Sequence, residues 1–354
     1  MSVIFAILLF SLLIFVHELG HFLVAKASGV QVNEFAIFMG PAIWKKQKGE
    51  TLYSIRCIPI GGYCAMEGED QDTENPKSFQ KATWWKRLCI LLAGSLMNLI
   101  IGIILFAIVF GCAYKSIPTN EVAGFEDCSL LLEENALQPG DKIIKIDGER
   151  VYTSDDFSMI LLYNSNLESH DLLIERNGVK MELSDVRMET HEHTKDGQTS
   201  THYGINFKSV DSNLFSCLGY TMKRTVGTVN SVRLSVQMLF TGRAGLSDMT
   251  GPVGIVQQMT SVADSSETWG IALLNLLYFG GFIAINLAVM NLLPIPALDG
   301  GRIVALLLTT VIEAIIGKKL NPKYEGYIHA AGMVLLLALM AVILFKDIFV
   351  IFKG

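Results

Sequence analysis

The stretch VIFAILLFSLLIFVHELGHFLVA, residues 3–25, decides how this chain folds. It is long enough to cross a bilayer as a helix, which takes about 20 apolar residues. His17, Glu18 and His21 interrupt the apolar run near its end. A cleaved signal peptide would carry a basic segment before the apolar run and a small-residue cleavage site after it. No Lys or Arg precedes Lys26, so we expect this stretch to be a retained membrane span.

Three further apolar stretches are long enough to cross a bilayer: 88–114, 269–298 and 328–345. In lipid only helices or closed barrels satisfy their backbone hydrogen bonds, and these runs lack the alternation of barrel strands. A fifth apolar segment, 303–316, is too short to be counted as a crossing. The sequence therefore predicts a polytopic α-helical membrane protein with about four transmembrane helices.

The overall composition agrees with this class. Of 354 residues, 51% are hydrophobic and 18% are charged, where soluble proteins average about a quarter charged. A net charge of -6 without a basic block excludes a nucleic-acid-binding surface. Six cysteines without C-x-x-C spacing indicate neither a zinc ribbon nor a disulfide framework. Cys128 and Cys217 could pair if their segment lies outside the cell, and that question stays open.

The orientation of the spans follows from basic residues near their ends. Nine Lys and Arg residues lie between the first two spans, and three lysines follow the third. Two lysines beyond the fourth span oppose the rule mildly. We expect both basic loops in the cytoplasm and the long segment 115–268 outside.

The first cytoplasmic loop has the pattern of paired strands. Segments 32–44 and 51–66 are rich in β-branched and aromatic residues, and Gly61-Gly62 interrupts the second, a pattern typical of strands joined by turns. So many apolar residues between two spans suggest a re-entrant β-hairpin in the membrane, which is allowed where protein or a water-filled cavity shields the backbone. A small cytoplasmic hairpin is the alternative.

The segment 117–207 has the composition of a soluble domain. Residues 137–151, LQPGDKIIKIDGERV, predict a turn, the strand 142–146 and a second turn before a helix at 154–163. This pattern resembles a PDZ domain, a fold that usually binds a peptide as an added strand. The alternative is a small α+β domain without a peptide ligand, because the sequence does not reveal a carboxylate-binding loop. An amphipathic helix is expected at 218–240.

The motif at His17–His21 carries the chemistry. On a helix the two His lie on one face, so that both imidazoles can converge on a single metal ion, and Glu18 can reach a metal-bound water. Two His, one carboxylate and an open position form a common catalytic zinc set. Ionisable groups inside a span cost about 2.5–3.5 kcal/mol each on insertion scales, so they are rare and mark functional sites. We therefore predict a metal site.

A third protein ligand is needed, and Asp299 in NLLPIPALDGG, 291–301, is the best candidate. Two prolines break the helix before it, and Gly300-Gly301 are expected to let the backbone turn, so that the carboxylate points into a cavity. We expect both Asp299 and the His pair near the cytoplasmic ends of their spans. A solvated Asp299 at a helix end is the alternative reading, and Glu313 is the other acid in this region.

Six segments together resemble the site-2 proteases, which are intramembrane zinc metalloproteases, and in particular their bacterial regulator of sigma-E protease branch. They occur in family order and cover nearly the whole chain. The segments are HELGH at 17–21, RCIPIGGYCAMEGE at 56–69, AGSLMN at 93–98, the PDZ-like insert, GPVGI at 251–255 and NLLPIPALDGG at 291–301.

The resemblance implies that His17, His21 and Asp299 bind Zn²⁺ and that Glu18 is the general base. It further implies that segment 60–66 presents an edge strand to the substrate. The residues that it implies for substrate binding are Asn291, Asn286, Pro294, Pro296, Gly61, Gly62 and Asn98. The three Asn have plain readings too, as hydrogen bonds between helices or, for Asn98, a helix-packing face. The Gly-x-Gly common in the first hairpin strand is Phe38-Met39-Gly40 here, so this turn departs from the family.

The expected activity is hydrolysis of a peptide bond within or near the transmembrane helix of a single-span protein, such as an anti-sigma factor or a signal-peptide remnant. The resemblance implies a multi-pass protein of the bacterial plasma membrane with its active site near the cytoplasm. Its single PDZ-like domain would lie outside, as a size filter or peptide sensor for substrates trimmed by another protease. A non-catalytic adaptor that captures peptides and a metal transporter are the rival readings.

The expected organisation has six parts. They are helix 1 with HELGH at 1–26, the cytoplasmic loop with the hairpin at 27–87, helix 2 at 88–116, the PDZ-like domain at 117–209, an amphipathic segment at 210–265, and helices 3 and 4 with NLLPIPALDGG at 266–354.

Overall fold

The computed structural model describes residues 2–69, 73–125, 137–188, 191–195, 198–245, 249, 251–266, 268–318 and 323–353. By backbone contacts the chain divides into two compact units, one formed by Met1–Phe106 with Gly245–Gly354 and the other by Ala107–Ala244. Cys128 lies outside the described residues, so its pairing with Cys217 stays a prediction.

The described residues form eight α-helices and ten strands. The helices are α1 (Ser2–Ser28), α2 (Trp84–Ala113), α3 (Ser154–Tyr163), α4 (Leu214–Phe240), α5 (Pro252–Asp264), α6 (Trp269–Asn291), α7 (Asp299–Ile316) and α8 (Lys323–Lys353). The strands are β1 (Val32–Lys48), β2 (Thr51–Met66), β3 (Ser116–Phe125), β4 (Lys142–Ile146), β5 (Glu149–Arg150), β6 (His170–Arg176), β7 (Val179–Val186), β8 (His191–Lys195), β9 (Gln198–His202) and β10 (Ile205–Asp211).

Four of the described helices, α1, α2, α6 and α8, are long and apolar enough to cross a membrane by length and composition. This number agrees with the sequence prediction, and the protein is an integral membrane protein. The third span is shorter than predicted, because α6 ends at Asn291 and residues 292–298 form a loop that contains both prolines. The apolar segment at 303–316 belongs to α7, which is not among the four candidate spans.

The expectation that Gly300-Gly301 make a turn is wrong. Both glycines lie in the first turn of α7, and the left-handed residue of the preceding loop is Ala297, with φ 82°. Glycine is required here for a close approach instead. A Cβ on Gly300 would lie 2.3 Å from the backbone of Leu292, and one on Gly301 would lie 2.3 Å from the carbonyl oxygen of Ile295.

The loop between the first two spans forms two long antiparallel strands at the predicted positions. Because of register shifts, β1 pairs twice with β2: residues 34–37 pair both with 52–55 and with 62–65, and residues 44–48 pair with 51–55. The two strands thus fold into four neighbouring segments, in the order 44–48, 51–55, 34–37 and 62–65. Among the described strands, the segment 62–65 therefore pairs on one side only.

Close packing between α1, α2 and this sheet fixes the first unit. Gly20 lies so near α2 that a Cβ there would be 2.5 Å from the carbonyl oxygen of Ala93. A buried cluster with members on α1, α2, the sheet and α7 includes Ala25, Phe35, Ile90 and Leu306. Burying such apolar side chains contributes roughly 1.5–3 kcal/mol for each large one. These elements are thereby held together.

The second unit contains a six-stranded sheet of order β10-β3-β4-β6-β7, with β5 paired to β4. Strand β4 and helix α3 have the bounds that the sequence predicts. Helix α3 begins with a capping box at Thr153 and buries Phe157 and Ile160 against the sheet. The expected amphipathic helix is α4, which begins four residues earlier than predicted, with its N-cap at Asn213.

Candidate metal centre

Three side chains from two distant helices converge at one point. The Nε2 atoms of His17 and His21 are 3.2 Å apart, and Oδ2 of Asp299 lies 3.2 Å from the first and 3.4 Å from the second. A tetrahedral zinc ion with ligand distances near 2.0–2.1 Å separates its ligand atoms by about 3.3 Å. The triangle of donor atoms therefore has the dimensions of one face of a zinc coordination sphere.

The surroundings of these atoms also suit a cation. His17 and His21 are buried, and Oδ2 of Asp299 is a buried oxygen with no hydrogen-bond partner among the described residues. A buried carboxylate oxygen that lacks a hydrogen-bond donor is costly, whereas a bound cation would compensate its charge. Two imidazoles and one carboxylate leave the fourth position of a zinc ion open, as catalytic sites do. The donor set fits zinc.

The ring of His21 is oriented by α2. Its Nδ1 lies 2.8 Å from the carbonyl oxygen of Ile90, which can only accept a hydrogen bond. Nδ1 therefore carries the proton, and the lone pair of Nε2 faces the other two donor atoms. Such hydrogen bonds from the second ring nitrogen commonly fix the tautomer of a metal-binding His.

The ring of His17 faces two asparagines. Its Nδ1 lies 3.4 Å from the amide nitrogen of Asn98 and 3.5 Å from that of Asn291. If Nε2 of His17 binds a metal, Nδ1 must donate, and an amide oxygen should face it. Asn98 Oδ1 is buried without a partner among the described residues, and the two amide atoms exchange by a half-turn. Asn98 thus has a suitable acceptor for His17.

Gly94 makes room for both imidazoles, a role that sequence reasoning missed. A Cβ at this position would lie 2.3 Å from Nε2 of His21 and 2.7 Å from Cε1 of His17. The sequence indicated only a helix-packing face here. One feature of the sequence could have indicated this role. Gly94 lies one helical turn before Asn98, and an apolar helix such as α2 does not by itself require a glycine there.

Glu18 lies against the unpaired edge of the hairpin sheet. The backbone of Cys64 hydrogen-bonds to its carboxylate, which also interacts electrostatically with His17, His21 and Asp299. A Cβ on Gly62 would be 3.7 Å from Glu18 Cγ. The acid of the motif is therefore placed between the three donors and the β2 segment 62–65.

The loop before Asp299 is held from the side of α8. The backbone N–H of Ala297 donates to Nδ1 of His329 over 3.2 Å, and Pro296 packs so closely on Gly332 that a Cβ there would be 2.3 Å away. His329 is buried. Residues of α8 thus help to position the loop that leads to Asp299.

The other predicted site residues are distributed differently. Asn286 donates to the carbonyl oxygen of Phe282 in its own helix, over 3.1 Å, whereas Asn291 reaches the ring of His17. Pro294 is exposed on the 292–298 loop. Gly61 has φ 80° and contacts Met39, and Phe38, where the family often has glycine, has φ 71°. The departure from Gly-x-Gly therefore leaves the left-handed turn in place.

A membrane protein with this buried set of two His, one Asp and an adjacent Glu belongs to the class of zinc metalloendopeptidases. The model of peptidase family M50 matches residues 5–339, and the chain belongs to this family, the site-2 proteases.

Its relatives agree with this class. The chain is 35% identical to a protein of Clostridium acetobutylicum named as a candidate zinc metalloprotease, over 98% of this chain and 97% of that protein. It is 29% identical to the zinc metalloprotease RasP of Oceanobacillus iheyensis, over 98% of each. It is also 28% identical, again over 98% of each chain, to a Bacillus subtilis protein named regulator of sigma-W protease RasP.

Proposed function

We propose that this protein cleaves a single-span membrane protein within or near its transmembrane helix. In this proposal His17, His21 and Asp299 hold zinc, and Glu18 is the general base. The observation that carries the proposal is the position of Glu18, between three converging donor atoms and a one-sided sheet edge. A metal centre, a base and a peptide-binding edge thereby share one site.

The chemistry of the site divides between the metal and the chain. Zinc held by His17, His21 and Asp299 would lower the pKa of a coordinated water to about 7 and would polarise the scissile carbonyl. Glu18 accepts the proton of the water and passes it to the leaving amine. Asn98 and Ile90 fix the two imidazoles through Nδ1, and Asn98 acts on His17 rather than on the substrate. Asn291 lies where it can also donate to the substrate backbone.

The edge segment 62–65 suits an extended substrate. A transmembrane helix uses its carbonyls in its own hydrogen bonds, so it must unwind before hydrolysis. An unwound strand can add to the free edge of a sheet, and the edge here passes Glu18 at Gly62 and Cys64. The substrate strand would thereby bring its scissile bond to the metal centre.

The apolar surface of the sheet supports a re-entrant hairpin. Met39, Ile43, Trp44, Ile55 and Ile58 are large, apolar and exposed. Exposed apolar patches of this kind mark membrane or protein contacts. One charged pair of the sheet is matched within it, which suits partial insertion into the bilayer. Arg56 is 2.7 Å from Glu34.

The second unit supports a PDZ-like role outside the membrane. Among the described strands β10 is an edge strand, and Gly204 before it has φ 64°. The ring of Phe157 on α3 lies 5.3 Å from that of Phe207 and 6.1 Å from that of Tyr203. An edge strand beside a helix is a geometry that can accept a peptide. We infer that this unit screens substrates trimmed by another protease.

The relative named regulator of sigma-W protease supports the substrate class. We infer that the substrates are anti-sigma factors or signal-peptide remnants in a bacterial plasma membrane. The positive loops support an active site near the cytoplasm.

The test uses purified protein in detergent and a labelled single-span substrate. We expect Glu18→Gln to retain zinc and to lose at least 10²-fold in cleavage rate, since removal of a general base typically costs 10²–10⁴-fold. Cleavage at the wild-type rate would refute the protease mechanism with Glu18 as its base, and absence of cleavage by the wild-type protein would favour the non-catalytic adaptor. Zinc flux in proteoliposomes would favour the transporter.

A further inference from the structure

An ion pair connects the helix that carries Asp299 to the end of the hairpin sheet. Nη1 of Arg302 lies 2.5 Å from Oε1 of Glu69. Arg302 is one turn after Asp299 on α7, and Glu69 follows the last residue of β2 by three positions. About a fifth of each side chain is exposed, 23% for Arg302 and 21% for Glu69. The pair is therefore partly shielded from solvent.

Glu69 is itself fixed to the sheet. The backbone N–H of Met66, the last residue of β2, approaches Oε2 of Glu69 at 3.4 Å. Gln80 donates to the carbonyl oxygen of Glu69 over 3.2 Å, and Phe79 beside it is buried in the cluster that includes Met66. The carboxylate that meets Arg302 is therefore connected to the end of β2.

Helix α7 is also held by the close approach of Gly300 and Gly301 to the preceding loop and by a few buried apolar side chains. Most of its large apolar side chains are exposed, among them Val311, Ile312, Ile315 and Ile316. On its inner face Leu306 is buried and Ile303 packs against the same cluster. These apolar contacts resist separation but allow sliding or rotation, whereas a directed ion pair at the first turn sets the rotation of the helix.

We propose that the Glu69–Arg302 pair is a positioning device for the metal centre. It holds the first turn of α7 at the rotation that aims the Asp299 carboxylate at the two imidazoles. It also ties this ligand to the sheet whose edge segment 62–65 receives the substrate in our proposal. The inference rests on the proposed zinc ligands, and it adds two residues that contact neither metal nor substrate.

The experiment measures zinc release from the full-length, zinc-loaded protein in detergent, with a chromophoric chelator. Substitution of a group that supports a ligand typically costs 10–100-fold in metal affinity. We expect Arg302→Gln and Glu69→Gln each to release zinc about 10-fold faster or more. The double variant should release it no faster than either single variant, because one interaction is lost in all three.

Arg302→Lys and Glu50→Gln are the controls. Lys keeps the charge, so Arg302→Lys should restore most of the retention. Glu50 forms a separate ion pair with Lys26 over 2.7 Å, so Glu50→Gln should release zinc like the wild type. Thermal unfolding of each variant separates a local effect from loss of fold, since the positioning role predicts faster release at an unchanged melting temperature.

The outcomes distinguish this inference from the proposed function. The positioning role is overturned if both Gln variants release zinc at the wild-type rate while Asp299→Ala releases it rapidly. That result would leave the assignment of the zinc ligands unchanged. Unchanged release from Asp299→Ala contradicts the ligand assignment itself. If Arg302→Gln fails to fold, the test uses Glu69→Gln and Arg302→Lys instead. The inference is overturned if both variants release zinc at the wild-type rate.

Discussion

The two halves of the proposed metal centre are built in different ways. His17 and His21 are one turn apart on α1, so the helix alone brings their rings together. Asp299 comes from a distant helix, and a loop with a left-handed alanine, two close glycine contacts and an ion pair set its position. Local geometry thus builds one half, and long-range packing builds the other. The imidazole half should lose zinc when the space around its rings is filled. The carboxylate half should lose its geometry when the contacts that position Asp299 are changed.

The largest effect is expected from Gly94→Ala, which fills the space of the imidazole half. Its Cβ would lie 2.3 Å from Nε2 of His21, so the rings must leave their positions. We expect stoichiometric zinc to fall below detection by elemental analysis. Gly111→Ala on the same helix is the matched control, because a Cβ there meets no described atom within 4 Å. Full zinc occupancy in Gly94→Ala would contradict the geometry of this half.

Gly300→Ala tests the support of the carboxylate half. The Cβ would meet the backbone of Leu292 and Leu293 at 2.3 Å, and the first turn of α7 must shift by about an ångström. A displacement of this size costs roughly 10²-fold in catalysis. We expect that loss in cleavage rate, and a near-normal rate for Gly270→Ala, whose nearest described contact is 3.9 Å away. Equal rates would show that α7 is not fixed by this contact.

Asn98→Ala should have a smaller effect, because it removes a hydrogen bond to His17 and no ligand. Loss of such a partner costs about 10–100-fold in metal affinity. The measurement is a zinc competition titration. Asn98→Asp offers an oxygen to the same Nδ1 and should recover part of the affinity. An Asn98→Ala titration that overlays the wild type would mean that Asn98 only packs between helices, the plain reading of this position.

The smallest effect is expected at Ala297. A left-handed conformation costs a non-glycine residue roughly 1–2 kcal/mol, so Ala297→Gly should raise the thermal stability slightly while activity is retained. Ala297→Val should lower both, because a β-branched residue tolerates this region least. A lower melting temperature for the glycine variant would contradict the strain assigned to this loop.

Sequence reasoning reached different parts of the fold for different reasons. The number of spans, the strands of the hairpin, strand β4 and helix α3 follow from apolar runs, alternation and turn residues, which are local signals. The end of the third span was misplaced, since a continuous apolar run hid the break after Asn291. The roles of Gly94 and Gly300 were missed, because a glycine reports a close approach only when its neighbour in space is known.

By itself the sequence determined the class of the protein. A His-Glu-x-x-His motif inside an apolar helix specifies paired metal donors and a base, because helical spacing is fixed by backbone hydrogen bonds and ionisable groups are costly in lipid. Only the tertiary structure decided where Asp299 lies, which asparagines face His17, and how the sheet edge meets Glu18. Those relations depend on contacts between residues far apart in the chain, and backbone approaches of a few ångströms leave no periodic signal in the sequence.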